Sequence, residues 1–345
     1  MSIRSALGWL LALVALTTPR STSAQTLRFA ATERGTIVAA GNTLGLSTES
    51  GQNGPGLRDS IGTFTCLCSG ADDSPPNPDN PWPEGTTSSW MQNGSMAVLD
   101  LAPGSTVLHA ELVWGGSYQY GEQDVSASLD TPVTLAFGAA TISVAPAAET
   151  ATTLASTSAL GFQVRYYVRS ADVTAFVRSH GAGEYAASGI PATETTSVNS
   201  LNAAGWALLL AVRDESQPWR SMRLWVGGEL VDEYTAYDIS TSGLCAPTAG
   251  EVRGALAIAA LEGDANLTGD QLLVAAGPLG PFSALSGPNN PALNFFASQI
   301  DDASGALDIR GTFGTRNHNA VFGANVVDRA GTSRRSRSRA AAGRW

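Results

Sequence analysis

Short apolar segments of strand type recur along this chain, and Gly, Pro, Asn and Asp separate them. In "TVLHAELVW" the residues alternate, with Leu108, Ala110, Leu112 and Trp114 on one face and His109 and Glu111 on the other. A period of two predicts a strand with one buried face. The segment "GWALLLAV" is apolar throughout, which predicts a strand covered on both faces.

Two hairpins are predicted from neighbouring apolar segments. "VTLAFG" and "ATISVAP" meet at Gly138, which can form the turn between two short strands. In "NAAGWALLLAVRDESQPWRSMRLWVGGELVD", Trp206 begins a buried strand and residues 214–219 form a turn. Leu224 and Val226 then return on the apolar face, with Arg223 and Trp225 on the other. We interpret this stretch as a core hairpin and not as a working site.

One segment has helical spacing. Ser170 can cap a helix, Val173, Phe176 and Val177 recur at helical intervals, and Gly181 can end it. The sequence therefore predicts one short helix within an otherwise strand-rich chain.

These patterns favour an all-β fold, an antiparallel β-sandwich of jelly-roll-like arrangement with one short helix. We assign residues 25–328 to it, either as one unit or as two packed β subdomains. Residues 45–58 and 70–89 are rich in Gly, Ser, Asn and Pro and predict long loops. Residues 329–345 contain six Arg and no acid, which indicates either a disordered basic tail or a shifted reading frame.

The N-terminus has the pattern of a secretory signal peptide. Arg4 supplies a positive charge, residues 6–16 are apolar, and small residues lead to Ala24, the expected cleavage position. We therefore expect a protein that is secreted or displayed at the cell surface. No later segment is long and apolar enough for a membrane span.

Charge excludes one class of partner. The net charge is −10, and every acidic residue lies between Glu33 and Asp328. An acidic body repels phosphate backbones, so nucleic acid is not an expected partner. The expected partner is an extracellular polymer or a surface protein. The oligomeric state stays open.

The three cysteines fit an oxidising compartment. Cys66 and Cys68 are two apart, so the expected disulfide joins one of them to Cys245 and leaves the other free. Such a bond stabilises a domain by ~2–5 kcal/mol. A zinc site is not expected, because too few ligands are present.

One loop has calcium-ligand spacing. In "GDANLTGDQ", Asp264, Asn266 and Asp270 occupy positions 1, 3 and 7 of an EF-hand-like loop, with Gly269 at position 6. Ala275 stands where the bidentate Glu is expected. A plain turn between strands explains the same residues, so calcium is the one cofactor considered and no other is predicted.

Aromatic residues near the Pro-rich loop are candidates for ligand binding. Trp82 and Trp90 can stack on sugars, or they can pack on their own domain. His109, His180 and His318 are expected to be structural. The sequence has no nucleophile elbow, P-loop or HExxH motif, and it marks out no pair of carboxylates for glycoside hydrolysis. We therefore expect no catalytic residues.

The segments "VRSADVTAFVRSHGAGEYAASGI" and "NAAGWALLLAVRDESQPWRSMRLWVGGELVD" resemble a recurring domain of unknown function. It occurs in bacterial, notably myxobacterial, secreted and cell-surface proteins, often before adhesin-like repeats. "GTIVAAGNTLGL", "EGDANLTGDQLLV" and "NNPALNFFASQI" share the resemblance, which covers most of residues 26–327. It implies an adhesive or structural extracellular role and supplies no catalytic residues. The family usually continues with further strands where "VVDRAGTSRR" begins, which favours the shifted frame.

Three functions are thus carried forward. The first is a non-catalytic adhesive or structural surface protein. The alternatives are an extracellular carbohydrate-binding module, with or without calcium, and a secreted hydrolase.

Overall fold

The computed structural model describes residues 25–44, 90–91, 94–157, 163–193, 203–231, 236–244, 251–260, 268–276, 281–287 and 290–296, with the strand backbone of 325–330 and 336–341. Every strand pair in these residues is antiparallel, and they contain one α-helix. The predicted all-β class with one short helix is confirmed. The jelly-roll-like order stays a prediction.

The strands are, in chain order, β1 (Thr26–Thr43), β2 (Gly94–Leu99), β3 (Thr106–Tyr120), β4 (Gln123–Asp124), β5 (Val133–Phe137), β6 (Ala140–Val144), β7 (Thr152–Thr157), β8 (Gln163–Asp172), β9 (Gly183–Ser188), β10 (Ala204–Arg213), β11 (Trp219–Val226), β12 (Ala236–Thr241), β13 (Glu251–Leu256), β14 (Gln271–Ala276), β15 (Phe282–Ala284), β16 (Asn325–Ala330) and β17 (Ser336–Ala341). The helix α1 spans Thr174–His180 and lies between β8 and β9. Single 3₁₀ turns occupy Ser126–Ser128 and Ala148–Thr150.

Two sheets contain most of these strands. The larger has seven strands in the order β11-β1-β10-β3-β8-β7, with β4 paired to β3. The smaller has the order β2-β9-β5-β6. Its β5–β6 turn contains Gly138 at φ +55°, a left-handed conformation that glycine adopts without strain. The predicted hairpin at Gly138 is confirmed.

The two sheets share one hydrophobic core. Trp206 on β10 stands opposite Trp114 on β3, and both indoles are fully buried. They pack in one cluster with side chains of the smaller sheet, such as Leu135 and Tyr185. The indole Nε1 of Trp206 donates a hydrogen bond to Ser95 Oγ on β2 at 2.8 Å. This bond joins the larger sheet to the smaller one inside the core.

The opposite face of the larger sheet is covered as well. Val113 on β3 and Leu209 on β10 pack in a second cluster with Leu224 and Val226 of β11. The N-terminal half of β1 contributes Phe29 to the same cluster. Buried positions therefore run along nearly all of β10, and the prediction of a strand covered on both faces is confirmed.

For β3 the prediction of one exposed face is wrong. His109 and Glu111 are both buried, because the β1 and β11 segments lie over the face that alternation alone assigns to solvent. Leu108 also departs from its expected position. The register of β3 against β10 shifts there, so Val107 enters the core and Leu108 is half-buried.

The predicted core hairpin of β10 and β11 is also wrong, because β1 lies between the two strands. The carbonyl of Arg34 accepts a hydrogen bond from Asp214 N–H at 2.9 Å, while Gly35 N–H donates to Pro218 O at 3.4 Å. The C=O and N–H of one trans peptide point in opposite directions. The connection after β10 therefore crosses β1 at this peptide and emerges on its other edge.

The helix forms where helical spacing predicts it, but its capping differs. Gly181 follows it at φ +74° and ends it as expected. Ser170 does not cap it, since Ser170 lies within β8. Asp172 Oδ1 instead accepts the N–H of Thr174 at 2.8 Å. The carboxylate thus satisfies a donor at the start of the helix.

The remaining strands form two further sheets, the four-stranded β12-β17-β14-β15 and the two-stranded β13-β16. Leu272, Leu285 and Phe295 make a separate small core beside them. Part of the Arg-rich segment 329–345 takes part in this pairing, through the end of β16 and all of β17. The backbone of this part of the segment forms strands. The shifted reading frame stays a prediction. Among the described residues, no helix has the length and apolar character needed to cross a membrane.

Candidate functional site

A bulge in β1 turns an arginine toward the interior. The register of β1 against β11 shifts between Leu27 and Phe29, which leaves Arg28 as the extra residue. Bulges of this kind re-aim side chains. Phe29 stacks on the ring of His109 with centroids 5.4 Å apart, and the Arg28 guanidinium reaches Glu111 on β3.

Glu111 is the centre of the cluster, and its side chain is 0% exposed. Its Oε1 accepts hydrogen bonds from Arg28 Nε at 2.8 Å and from Ser170 Oγ at 2.6 Å. Its Oε2 lies 3.0 Å from His109 Nε2. A carboxylate accepts at both oxygens, so each of them has a protein donor. A buried charge needs this full set of partners.

Two more acidic residues lie at the rim of the cluster. Arg28 also pairs with Glu149, whose backbone carbonyl accepts from Thr26 Oγ1 at 3.0 Å. His109 Nδ1 lies 3.8 Å from Asp172 Oδ2, which is beyond hydrogen-bonding distance. The rim thus ties the first residues of β1 to the segment before β7, and it places a second carboxylate beside the imidazole.

These contacts perturb the ionisation of the rim groups. For Asp172, burial opposes ionisation, but hydrogen bonds from Thr174 and the charges of His109 and Arg28 outweigh it and lower the pKa. The pKa of Glu149 is lowered by its own backbone N–H and by the Arg28 guanidinium. For Arg28, burial opposes the charged form, but Glu111 and Glu149 prevail and raise the pKa.

The geometry does not support nucleophilic catalysis at this cluster. A serine nucleophile needs a base that takes its proton, and that base must contact its hydroxyl. Ser170 and His109 instead contact different oxygens of Glu111. Ser170 is fully buried, so no substrate atom can approach its oxygen. The cluster has the geometry of an internal clamp between β1, β3 and β8.

Of the two aromatic residues predicted to bind a ligand, Trp90 is described. Trp90 is half-buried and packs against the main hydrophobic core. Trp82 lies outside the described residues. The position of Trp90 fits the alternative that it packs on its own domain.

Of the predicted calcium ligands, Asp270 is described and Asp264 and Asn266 are not. Asp270 Oδ2 accepts the N–H of Phe296 at 2.6 Å, and its backbone carbonyl accepts that of Phe295 at 3.3 Å. Burial raises the pKa of Asp270 despite these bonds. Within the described residues, no group of three or more His, Cys, Asp or Glu side chains could hold a metal ion.

The cysteine prediction lies outside the described residues, since Cys66, Cys68 and Cys245 all fall there, as does His318. His180 is described, and it contacts the helix in which it lies. Its Nδ1 lies 2.9 Å from the carbonyl of Phe176, and its ring packs against Phe176 with centroids 4.4 Å apart.

Sequence reasoning did not find the clamp. Arg28, Glu111 and Ser170 come from three distant segments, and no motif connects them. One signal was available, because Glu111 interrupts an apolar run and an acid in such a run needs a partner if both faces are covered.

Comparisons with protein-family models, with curated proteins and with solved structures found no match.

Proposed function

We propose that this protein is a secreted or cell-surface, non-catalytic β-sandwich protein with an adhesive or structural role. The observation that carries the proposal is the clamp around Glu111. Its ionisable groups are bound to one another inside the protein, where they stabilise the fold, and Ser170 and Glu111 are closed to any substrate.

An extracellular location is supported by the sequence of the N-terminus. The predicted signal peptide ends at Ala24, and β1 begins at Thr26. The resemblance to secreted and cell-surface bacterial domains favours the same location. Thr26 and Arg28, which the clamp engages, both follow the predicted cleavage position.

The clamp also suits an adhesive role. A surface adhesin carries load along its chain, and the load acts on the strands nearest its ends. Here the start of β1 is tied to β3 through Arg28 and Glu111 and to the segment before β7 through Glu149. Long-range ion pairs resist peeling of a strand that backbone hydrogen bonds hold on one edge.

Protease shaving of intact native cells tests the location, with an antibody to the folded body and a periplasmic protein as control. We expect the protein to be lost while the periplasmic control survives. Protection of the protein, or recovery solely from the medium, would contradict surface display. Turnover on a panel of polysaccharides and esters separates this role from the hydrolase alternative, and we expect none.

A further inference from the structure

Trp219 differs from the other tryptophans that the structure describes. It is 62% exposed, whereas Trp114 and Trp206 are fully buried and Trp90 and Trp225 are half-buried. Burying apolar surface contributes a free energy of about 25 cal/mol per Å², and an exposed indole lacks this contribution. Single exposed apolar residues are common, so exposure alone indicates no site. The surroundings of Trp219 supply the further evidence.

The indole is held at the start of a paired strand. Trp219 is the first residue of β11 and stands opposite Arg34 on β1, so both side chains lie on the same outward face. Arg220, next in the chain, points to the other face and donates to Gly35 O at 2.5 Å and to Gln217 Oε1 at 3.0 Å. These bonds fix the backbone on which the indole stands.

The loop that precedes Trp219 is also ordered by its own contacts. Asp214 Oδ1 accepts from the N–H and the hydroxyl of Ser216, at 2.9 and 2.7 Å. Gln217 N–H donates to Asp214 O at 3.0 Å. A binding platform has to be preorganised, and this loop meets that requirement without a ligand.

Arg34, which stands opposite Trp219, and its partner Glu215 are charged groups open to solvent. Arg34 Nη1 donates to the backbone carbonyl of Glu215 at 3.1 Å, and the two side chains approach to 4.0 Å. Their side chains are 45% and 79% exposed. A guanidinium has five N–H donors and a carboxylate has two acceptor oxygens, so both keep bonding capacity for a ligand.

This combination favours a sugar over a protein surface. A pyranose has an apolar C–H face that stacks on an indole, and its hydroxyls both donate and accept hydrogen bonds at the ring edge. A protein contact centred on Trp219 would have to desolvate Arg34 and Glu215, which is unfavourable without matched partners. A sugar leaves much of both groups in water.

We propose that Trp219, Arg34 and Glu215 form a carbohydrate-binding site, with the indole as stacking platform and the charged pair as hydrogen-bonding rim. The proposal rests on the proposed extracellular role, because polysaccharides are then the polymers that this face meets. It places sugar binding on a paired strand and not on the Pro-rich segment that contains Trp82.

Affinity electrophoresis of the mature full-length protein tests the site. The native gels contain xylan, laminarin, mixed-linkage β-glucan or alginate, and pull-downs use microcrystalline cellulose and chitin. We expect binding to at least one of these polymers and at least tenfold weaker binding by Trp219→Ala. Trp219→Phe should bind between the two, because a phenyl ring keeps part of the stacking surface.

Leu27→Ala is the matched control, since Leu27 lies on the same outward face and is 50% exposed. It should bind like the wild type, and all variants should melt at nearly the same temperature. Failure to bind any polymer, or equal weakening by Leu27→Ala and Trp219→Ala, overturns the proposal. So does a photo-crosslinker at position 219 that captures a cell-surface protein in the absence of sugar binding.

The outcomes keep the two proposals distinct. Protease protection in cells with sugar binding in vitro refutes the location and leaves the site. Surface exposure without sugar binding refutes the site and leaves the location.

Discussion

Arg28 Nε lies 2.8 Å from Glu111 Oε1, although 83 positions separate the two residues in the chain. The contact depends on the bulge at Arg28, which turns this side chain toward the interior, on the same side as Phe29. It also depends on the burial of Glu111 under β1 and β11. The Arg28–Glu111 contact can therefore form only when the N-terminal half of β1 packs over β3.

Arg28→Met should lower the free energy of unfolding by about 3–5 kcal/mol, because it leaves the Glu111 carboxylate buried without its cation. Arg34→Met is the control, since Arg34 pairs with Glu215 at 4.0 Å at the surface and should cost about 0–1 kcal/mol. Urea unfolding with linear extrapolation measures both. Equal costs would show that the clamp contributes no more than a surface pair.

Trp206→Ala should cost about 3–5 kcal/mol, because it removes a fully buried indole and its hydrogen bond to Ser95. Trp219→Ala removes an indole of the same size from the surface and should stay within about 0.5 kcal/mol of the wild type. Thermal melts of the two variants check the assignment. An unchanged melt for Trp206→Ala would contradict its place in the core.

Gly35→Ala should be strongly destabilising, by about 3 kcal/mol. A Cβ added there would lie 2.0 Å from the backbone oxygen of Val212, at the point where the chain crosses β1. Gly138→Ala is the control, because its added Cβ meets nothing within 4 Å. Its cost in unfolding free energy, about 1–2 kcal/mol, comes solely from the positive φ. Unfolding of both variants at the same urea concentration would contradict the crossing of the chain over β1 at Gly35.

The stability of the protein should fall in acid partly through the rim of the clamp. Asp172 and Glu149 have folded-state pKa values below their ordinary 3.8 and 4.5. Their contribution is therefore present above those ordinary values and is lost as the pH falls through the lowered ones. Melting temperatures of wild type, Asp172→Asn and Glu149→Gln between pH 6 and 2.5 test this.

The two variants should be less stable than the wild type at pH 6, and the difference should narrow as the pH falls toward 2.5. The exposed carboxyls of Asp124 and Asp214 also have lowered pKa values, so the wild type itself will lose stability over the same range. Their contribution is common to all three proteins. A constant gap at every pH would mean that the substituted carboxyls act by packing and not by charge.

Asp270→Asn should leave the stability at pH 7 unchanged or slightly raised. The amide oxygen can still accept the N–H of Phe296, and the substitution removes a charge whose burial raises the pKa of Asp270. We also expect saturating calcium to leave the melting temperature of the wild type unmoved. A calcium-induced rise that Asp270→Asn abolishes would establish the calcium site instead, because a ligand of the folded state must raise it.

Local pattern was sufficient for the elements whose shape depends on nearby residues. The uninterrupted apolar run of β10, the turn at Gly138 and the end of the helix at Gly181 are all recognisable in sequence. Each follows from side-chain periodicity or from a backbone conformation that glycine adopts readily. The position of the helix α1 follows in the same way.

The structure decided what covers each strand and which strands become neighbours. Alternation in β3 places His109 and Glu111 on a polar face, but it does not predict that another segment covers that face. Proximity along the chain favours pairing of β10 with β11, yet β1 lies between them. The clamp around Glu111 follows from both facts.

The sequence by itself determined the class of fold, the fully buried strand, the short helix and the expectation of export. Tertiary structure alone brought Arg28, Glu111 and His109 together and left Trp219 exposed beside Arg34. The physical reason is that periodicity is a property of consecutive residues, whereas strand order and burial depend on the free energy of contacts between segments far apart in the chain.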